Sequence, residues 1–74
     1  MITKEQYLQL LPHKAALLLL ERTGEWVGGE AVYHIVDSIT GESTQMFCSS
    51  CKGRTLYRAL NMIKNYEENI IPKA

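Results

Sequence analysis

Glu25-Trp26-Val27-Gly28-Gly29-Glu30-Ala31-Val32-Tyr33-His34-Ile35-Val36 decides the fold class, because it joins a leucine-rich N-terminal segment to a basic C-terminal one. Two short apolar runs flank a Gly-Gly pair, the pattern of a β-hairpin with a two-residue turn. Closing the turn there pairs Val27 with Glu30 and Trp26 with Ala31. Alternation then places Trp26, Ala31, Tyr33 and Ile35 on one face, and Val32, His34 and Val36 on the other. A second turn within Ile39-Thr40-Gly41-Glu42, centred on Thr40-Gly41, sets Ile35 opposite Met46, His34 opposite Phe47 and Tyr33 opposite Cys48. The result is a three-stranded antiparallel meander with Trp26, Ala31, Tyr33, Ile35, Met46 and Cys48 on its core face. A slip of one residue would exchange the two faces.

Helices are expected on both sides of this meander. Thr3-Lys4-Glu5-Gln6 has the residues of a capping box, in which Thr3 accepts from a free backbone N–H and Gln6 reaches back to the cap. Leu8, Leu11, Ala15, Leu18 or Leu19, and Arg22 follow at helical spacing, with Leu10, Leu17 and Leu20 beside them. Pro12 has no N–H and its ring meets the carbonyl of Leu8, so the helix kinks there or splits, with Pro12 opening the second piece. Gly24 provides a C-terminal cap. An apolar arc this wide calls for a further partner, and a homodimer through this helix is expected. After the meander, a helix from about Ser50 to Asn69 carries Leu56, Ala59, Leu60, Ile63 and Ile70 on one arc. Ile71-Pro72-Lys73-Ala74 reads as a tail. The expected fold is therefore a single small α+β domain over residues 1–74.

Size and charge bound the function. A chain of 74 residues buries only about 60–65% of the surface its unfolded form exposes, so disulfides, a metal or a partner subunit commonly add stability. The 46% hydrophobic content suffices for a core. Eight basic and eight acidic side chains cancel, which removes any whole-protein argument for a nucleic-acid or membrane partner. The N-terminus lacks the basic-then-apolar pattern of a signal peptide, and the longest apolar run, Ala15 to Leu20, is too short to span a bilayer. The expected location is a reducing cytoplasm.

Charge is nevertheless segregated. Between Ser43 and Tyr66 there is no acid, while Lys52, Arg54, Arg58 and Lys64 are basic. On the last helix Arg54, Arg58, Asn61 and Asn65 line the side opposite the apolar arc, with Lys52, Tyr57 and Lys64 close by. Arginine and asparagine can pair with base edges and lysine neutralises phosphate, so this face suits nucleic acid. It equally suits an acidic protein surface, and an ordinary solvated helix face would carry the same residues.

Cys48 and Cys51 open the same helix. Cys-x-x-Cys lets both sulfurs reach one zinc ion, but four ligands are normal. His13 and His34 are the only histidines, and the strand register puts His34 on the face away from Cys48. A dimer carrying two pairs would complete a four-thiolate site. Cys48-Ser49-Ser50-Cys51 at a helix start also resembles the redox motif of thioredoxin-like proteins, which implies a thiol redox role. The resemblance covers those four residues, and the cis-proline loop of that family has no counterpart. Burial of both thiols as small apolar groups, with Ser49 or Ser50 capping the helix, is the simplest reading. No nucleophile elbow, phosphate loop or carboxylate pair is present. A non-enzymatic binding or accessory module working through the last helix is expected, without a cofactor. Such small charge-balanced chains are common among accessory proteins of phages and mobile elements. The alternatives are a nucleic-acid-binding regulator, a zinc-stapled dimer and a thiol redox protein.

Overall fold

The computed structural model describes residues 2–70, and every regular element among them is helical. Helix α1 spans Lys4–Leu10, α2 Lys14–Thr23, α3 Ala31–Thr40 and α4 Ser49–Asn69. The tail expected over residues 71–74 lies outside the described range.

The α+β expectation is thus corrected: no strand exists among the described residues, and the central segment of the supposed meander is α3. Val32, Tyr33 and Val36 are buried, and Ile35 and Ile39 pack against the same core. Val32 and Tyr33 would face opposite sides of a strand, whereas a helix turns both inward together with the residue one turn later. The β-branched residues here each cost only a few tenths of a kcal/mol in a helix. Burial of one large apolar side chain contributes about 1.5–3 kcal/mol, so packing outweighs propensity.

Both supposed turns serve other purposes. Trp26 folds back over Gly28, where a Cβ would collide with the indole ring, and its Nε1 donates to the Gly29 carbonyl at 3.2 Å. The glycine pair accommodates the tryptophan within a connection between two helices. Gly41 adopts φ 75° as the C-terminal cap of α3, with its N–H bonded to the Asp37 carbonyl at 2.9 Å. The supposed core face dissolves accordingly. Tyr33 is buried, Trp26, Ile35 and Met46 are partly buried, Ala31 is exposed, and Cys48 is not in the core cluster.

The outer helices follow the sequence more closely. Thr3 and Gln6 form both halves of the capping box, at 3.2 and 2.8 Å. Gly24 caps α2 at φ 81°. Pro12 lies in a short 3₁₀ turn, Leu11–His13, that links α1 to α2, so the break comes as a bridging turn rather than a second helix opening at the proline.

α4 is the hub, packing against α1, α2 and α3, while α1 also meets α3. Its buried face is Leu56, Ala59, Leu60, Ile63 and Tyr66; Ile70 is exposed, contrary to the expected arc. From the N-terminal half, Tyr7, Leu10, Leu17 and Leu20 point inward. The ring of Tyr7 stacks on that of Tyr66, with centroids 4.3 Å apart and planes 15° from parallel. Above the stack, Tyr7 Oη donates to Glu67 at 2.8 Å, and Lys14 Nζ reaches both Glu67 oxygens at 2.8 Å. The hydrogen bond to Glu67, with burial adding to it, raises the Tyr7 phenol above its ordinary pKa.

Candidate functional site

The loop from Gly41 to Cys48 sets up the start of α4. Asp37 near the end of α3 anchors it, accepting from the Thr44 hydroxyl at 2.6 Å and the Thr44 backbone N–H at 2.9 Å. These two bonds, side chain first, hold the Asp37 carboxyl below its usual pKa. The Thr44 and Thr55 hydroxyls are 2.8 Å apart, and Thr55 is 3.1 Å from the Cys51 carbonyl. A chain of polar contacts therefore runs from α3 through the loop to the backbone of the first turn of α4.

At the end of that loop, the N-cap of α4 is Cys48 rather than either serine. Its Sγ accepts from the Cys51 N–H at 3.3 Å and lies 3.4 Å from the Ser50 hydroxyl. Both cysteines carry free thiols of intermediate burial and lie outside the core cluster. The Cys51 thiol, then the Ser50 hydroxyl and the Cys51 backbone N–H, stabilise a Cys48 thiolate and bring its pKa down to about 7. The same thiol–thiol hydrogen bond pushes Cys51 up, with burial and the Cys48 charge acting in the same direction. Among the described residues no group of three or more His, Cys, Asp or Glu side chains is placed to hold a metal ion.

Beside Cys51 opens a polar cleft of about 200 Å³, lined among others by Asp37, Thr44, Arg54, Thr55 and Arg58. Across it Arg58 pairs with Glu42 at 3.1 Å. Further along α4, Lys64 pairs with Glu21 of α2 at 2.8 Å. The basic residues of the acid-free window thus meet acids supplied by other helices and loops, which the linear charge pattern does not display. Two of its four cations are locally neutralised.

The rest of the polar face divides by geometry. At about 100° per residue, Arg54, Tyr57, Asn61 and Asn65 lie on one side of α4, while Lys52 is about 200° round from Arg54. Arg54, Tyr57, Asn61 and Asn65 are all exposed, and Asn65 also borders a hollow lined by Ile2, Ile39 and Met62. Phe47, just before Cys48, is 90% exposed. Sequence reasoning set Phe47 beside His34 on the outer face of a strand and did not single it out as a contact residue. Its position immediately before the expected helix start was the available signal. His34 is exposed on α3 and His13 is half-buried in the 3₁₀ turn.

A second exposed set lies on the N-terminal half. Leu8, Leu11 and Leu18 are 50%, 38% and 41% exposed, and Ala15 between them is exposed as well. The stripe singled out in the sequence faces outward, and the neighbouring Leu10, Leu17 and Leu20 face the core. No described helix is long and apolar enough to cross a membrane. Comparison with protein-family models, with curated proteins and with solved structures finds no match for this chain.

Proposed function

We propose that this chain is a small cytoplasmic, non-enzymatic binding module that meets a protein partner through the outer face of α4 and the residue leading into it. The observation that carries this reading is the 90% exposure of Phe47. Aromatic residues and arginine are enriched where proteins meet, so an uncovered phenylalanine leading into a structured helix start offers an anchor for a partner. Tyr57 and Arg54, which share one side of α4, are exposed as well. Ion pairing of Arg58 and Lys64 weighs against nucleic acid, because phosphate binding depends on uncompensated cations. Arg54 favours an acidic patch on the partner.

The test immobilises the wild-type chain and a Phe47→Ala plus Arg54→Ala variant in extract of the source cells. A discrete acidic protein held by the wild type and at least about tenfold less by the variant, a loss of about 1.4 kcal/mol, is expected. Lys64→Ala should hold it as well as the wild type. Retention of nucleic acid with steep salt dependence, and unchanged by the double variant, would overturn the reading in favour of a nucleic-acid regulator.

The homodimer belongs to the same proposal. Leu8 on α1, Leu11 in the 3₁₀ turn, and Ala15 and Leu18 on α2 are all exposed, an uncovered apolar set that a second copy of the chain would bury. Sedimentation should give twice the monomer mass at micromolar concentration, falling to the monomer in a Leu11→Glu plus Leu18→Glu variant that keeps its helical circular dichroism. A wild-type chain that sediments as a monomer throughout removes the dimer.

A further inference from the structure

We infer that Cys48 and Cys51 form a reversible dithiol–disulfide couple, so that the start of α4 is a redox-modification site for disulfides of the glutathione class. This goes beyond the binding reading and does not depend on it. Three geometric observations carry it. The Cys51 N–H reaches the Cys48 sulfur at 3.3 Å, so the two cysteines meet across the start of α4, and both thiols are free and only partly buried. Cys48, with the extended backbone of an N-cap, and Cys51, in the first turn of α4, are separated by two residues, within the reach that a disulfide requires of its Cβ atoms, ~3.5–4.5 Å, after a small adjustment. Cys48 also occupies the N-cap, where the Cys51 N–H and the Ser50 hydroxyl converge on its sulfur.

The chemistry balances with a named oxidant, a disulfide R–S–S–R. The Cys48 thiolate attacks one of its sulfurs, the S–S bond breaks, and a Cys48–S–S–R mixed disulfide forms as RS⁻ leaves. Cys51 gives up its proton, which ends on the departing thiolate, and its sulfur attacks Cys48 Sγ. The second RS⁻ leaves and takes up a proton from water. One dithiol and one R–S–S–R become one protein disulfide and two R–SH, and excess R–SH runs the sequence backwards. The order of attack follows from the site. Cys48 is the sulfur stabilised as an anion, and Cys51 retains its proton until a mixed disulfide stands beside it. Oxidation removes the anionic cap from α4, so the couple acts on the helix end next to Phe47.

The test equilibrates the reduced full chain with graded mixtures of reduced and oxidised glutathione and reads the product by intact mass and peptide mapping. An intramolecular Cys48–Cys51 bond that forms and reverses with the glutathione ratio is expected. A Cys51→Ser variant should accumulate glutathione on Cys48. In a parallel alkylation at pH 7, Cys48 has about 50-fold more thiolate than a thiol titrating near 9, offset about tenfold by its lower nucleophilicity. Cys51 is raised beyond an ordinary thiol, so Cys48 should react at least about fivefold faster than Cys51, with a midpoint near pH 7. Cys48→Ser keeps an oxygen acceptor at the cap, and its unchanged circular dichroism separates loss of the couple from loss of fold. Formation of only mixed or intermolecular disulfides, or equal alkylation of the two thiols, overturns the inference.

Discussion

Ile63→Ala is expected to lower the unfolding free energy by about 2–5 kcal/mol, enough to leave much of the population unfolded at 37 °C. Ile63 is fully buried in the middle of α4, the helix that every other helix touches. Truncation removes apolar contacts and leaves a cavity that α1, α2 and α3 cannot all close, since each is held at its other end by its own packing. The small size of the domain magnifies the effect, because few other core residues share the load. Denaturant unfolding followed by circular dichroism reads it. A midpoint within experimental error of the wild type would mean that α4 is not the hub. Leu8→Ala provides the contrast: Leu8 is 50% exposed, and its removal should cost well under 1 kcal/mol in the monomer.

His34→Pro is expected to cost up to about 3 kcal/mol and to reduce helical signal, because it removes the N–H that makes the first intrahelical bond of α3 and sets a ring against the cap. The N–H of His34 closes the first turn by bonding to the Glu30 carbonyl at 3.5 Å, and a proline ring there would meet that same carbonyl. His34 is exposed, so the loss would come from the backbone alone and not from a disturbed core. His34→Ala is the matched control and should be near neutral or slightly stabilising, since alanine favours helix more than histidine does. The pair of variants checks the helix over Ala31–Thr40 directly. A strand there would respond to alanine with a loss, because alanine is a poor strand former. Thermal unfolding of the two variants side by side decides it.

That segment is also where sequence and structure part. Gly28-Gly29 between apolar runs is a strong local sign of a hairpin, and the residues after it favour strands taken one by one. What local reading does not contain is the surface of α4. A buried helical stripe on α3 completes that surface, and adjacent Val32 and Tyr33 both turn toward it. The spacing of Val32, Tyr33, Val36 and Ile39 was present in the sequence, but a run of ten residues containing five β-branched ones fits either period. By contrast, Thr3 with Gln6, Gly24, and α4 itself were legible because caps and a long amphipathic period are local properties.

The candidate site was legible in composition and not in arrangement. Cys48 and Cys51 at the head of α4 could be read from their spacing, but Cys48 as the cap could not, because serines at 49 and 50 are the commoner choice for that role. The basic window misleads for a related reason. Glu42 and Glu21, the partners of Arg58 and Lys64, stand 16 and 43 residues away in the chain. Only the fold shows that the charges meet.

The stack of Tyr7 on Tyr66, with Glu67 reaching back to Tyr7 and Lys14, has a consequence for the order of events during synthesis. Residues that emerge first find their partners among residues that emerge some 60 positions later. Until α4 has been made, α1 has only α3 to pack against and α2 lacks the face it closes on, so inner as well as outer leucines of the first helices remain in contact with water. The nascent chain thus passes through a period in which its most adhesive segment is uncovered, and the closing step is the arrival of the last turns of α4.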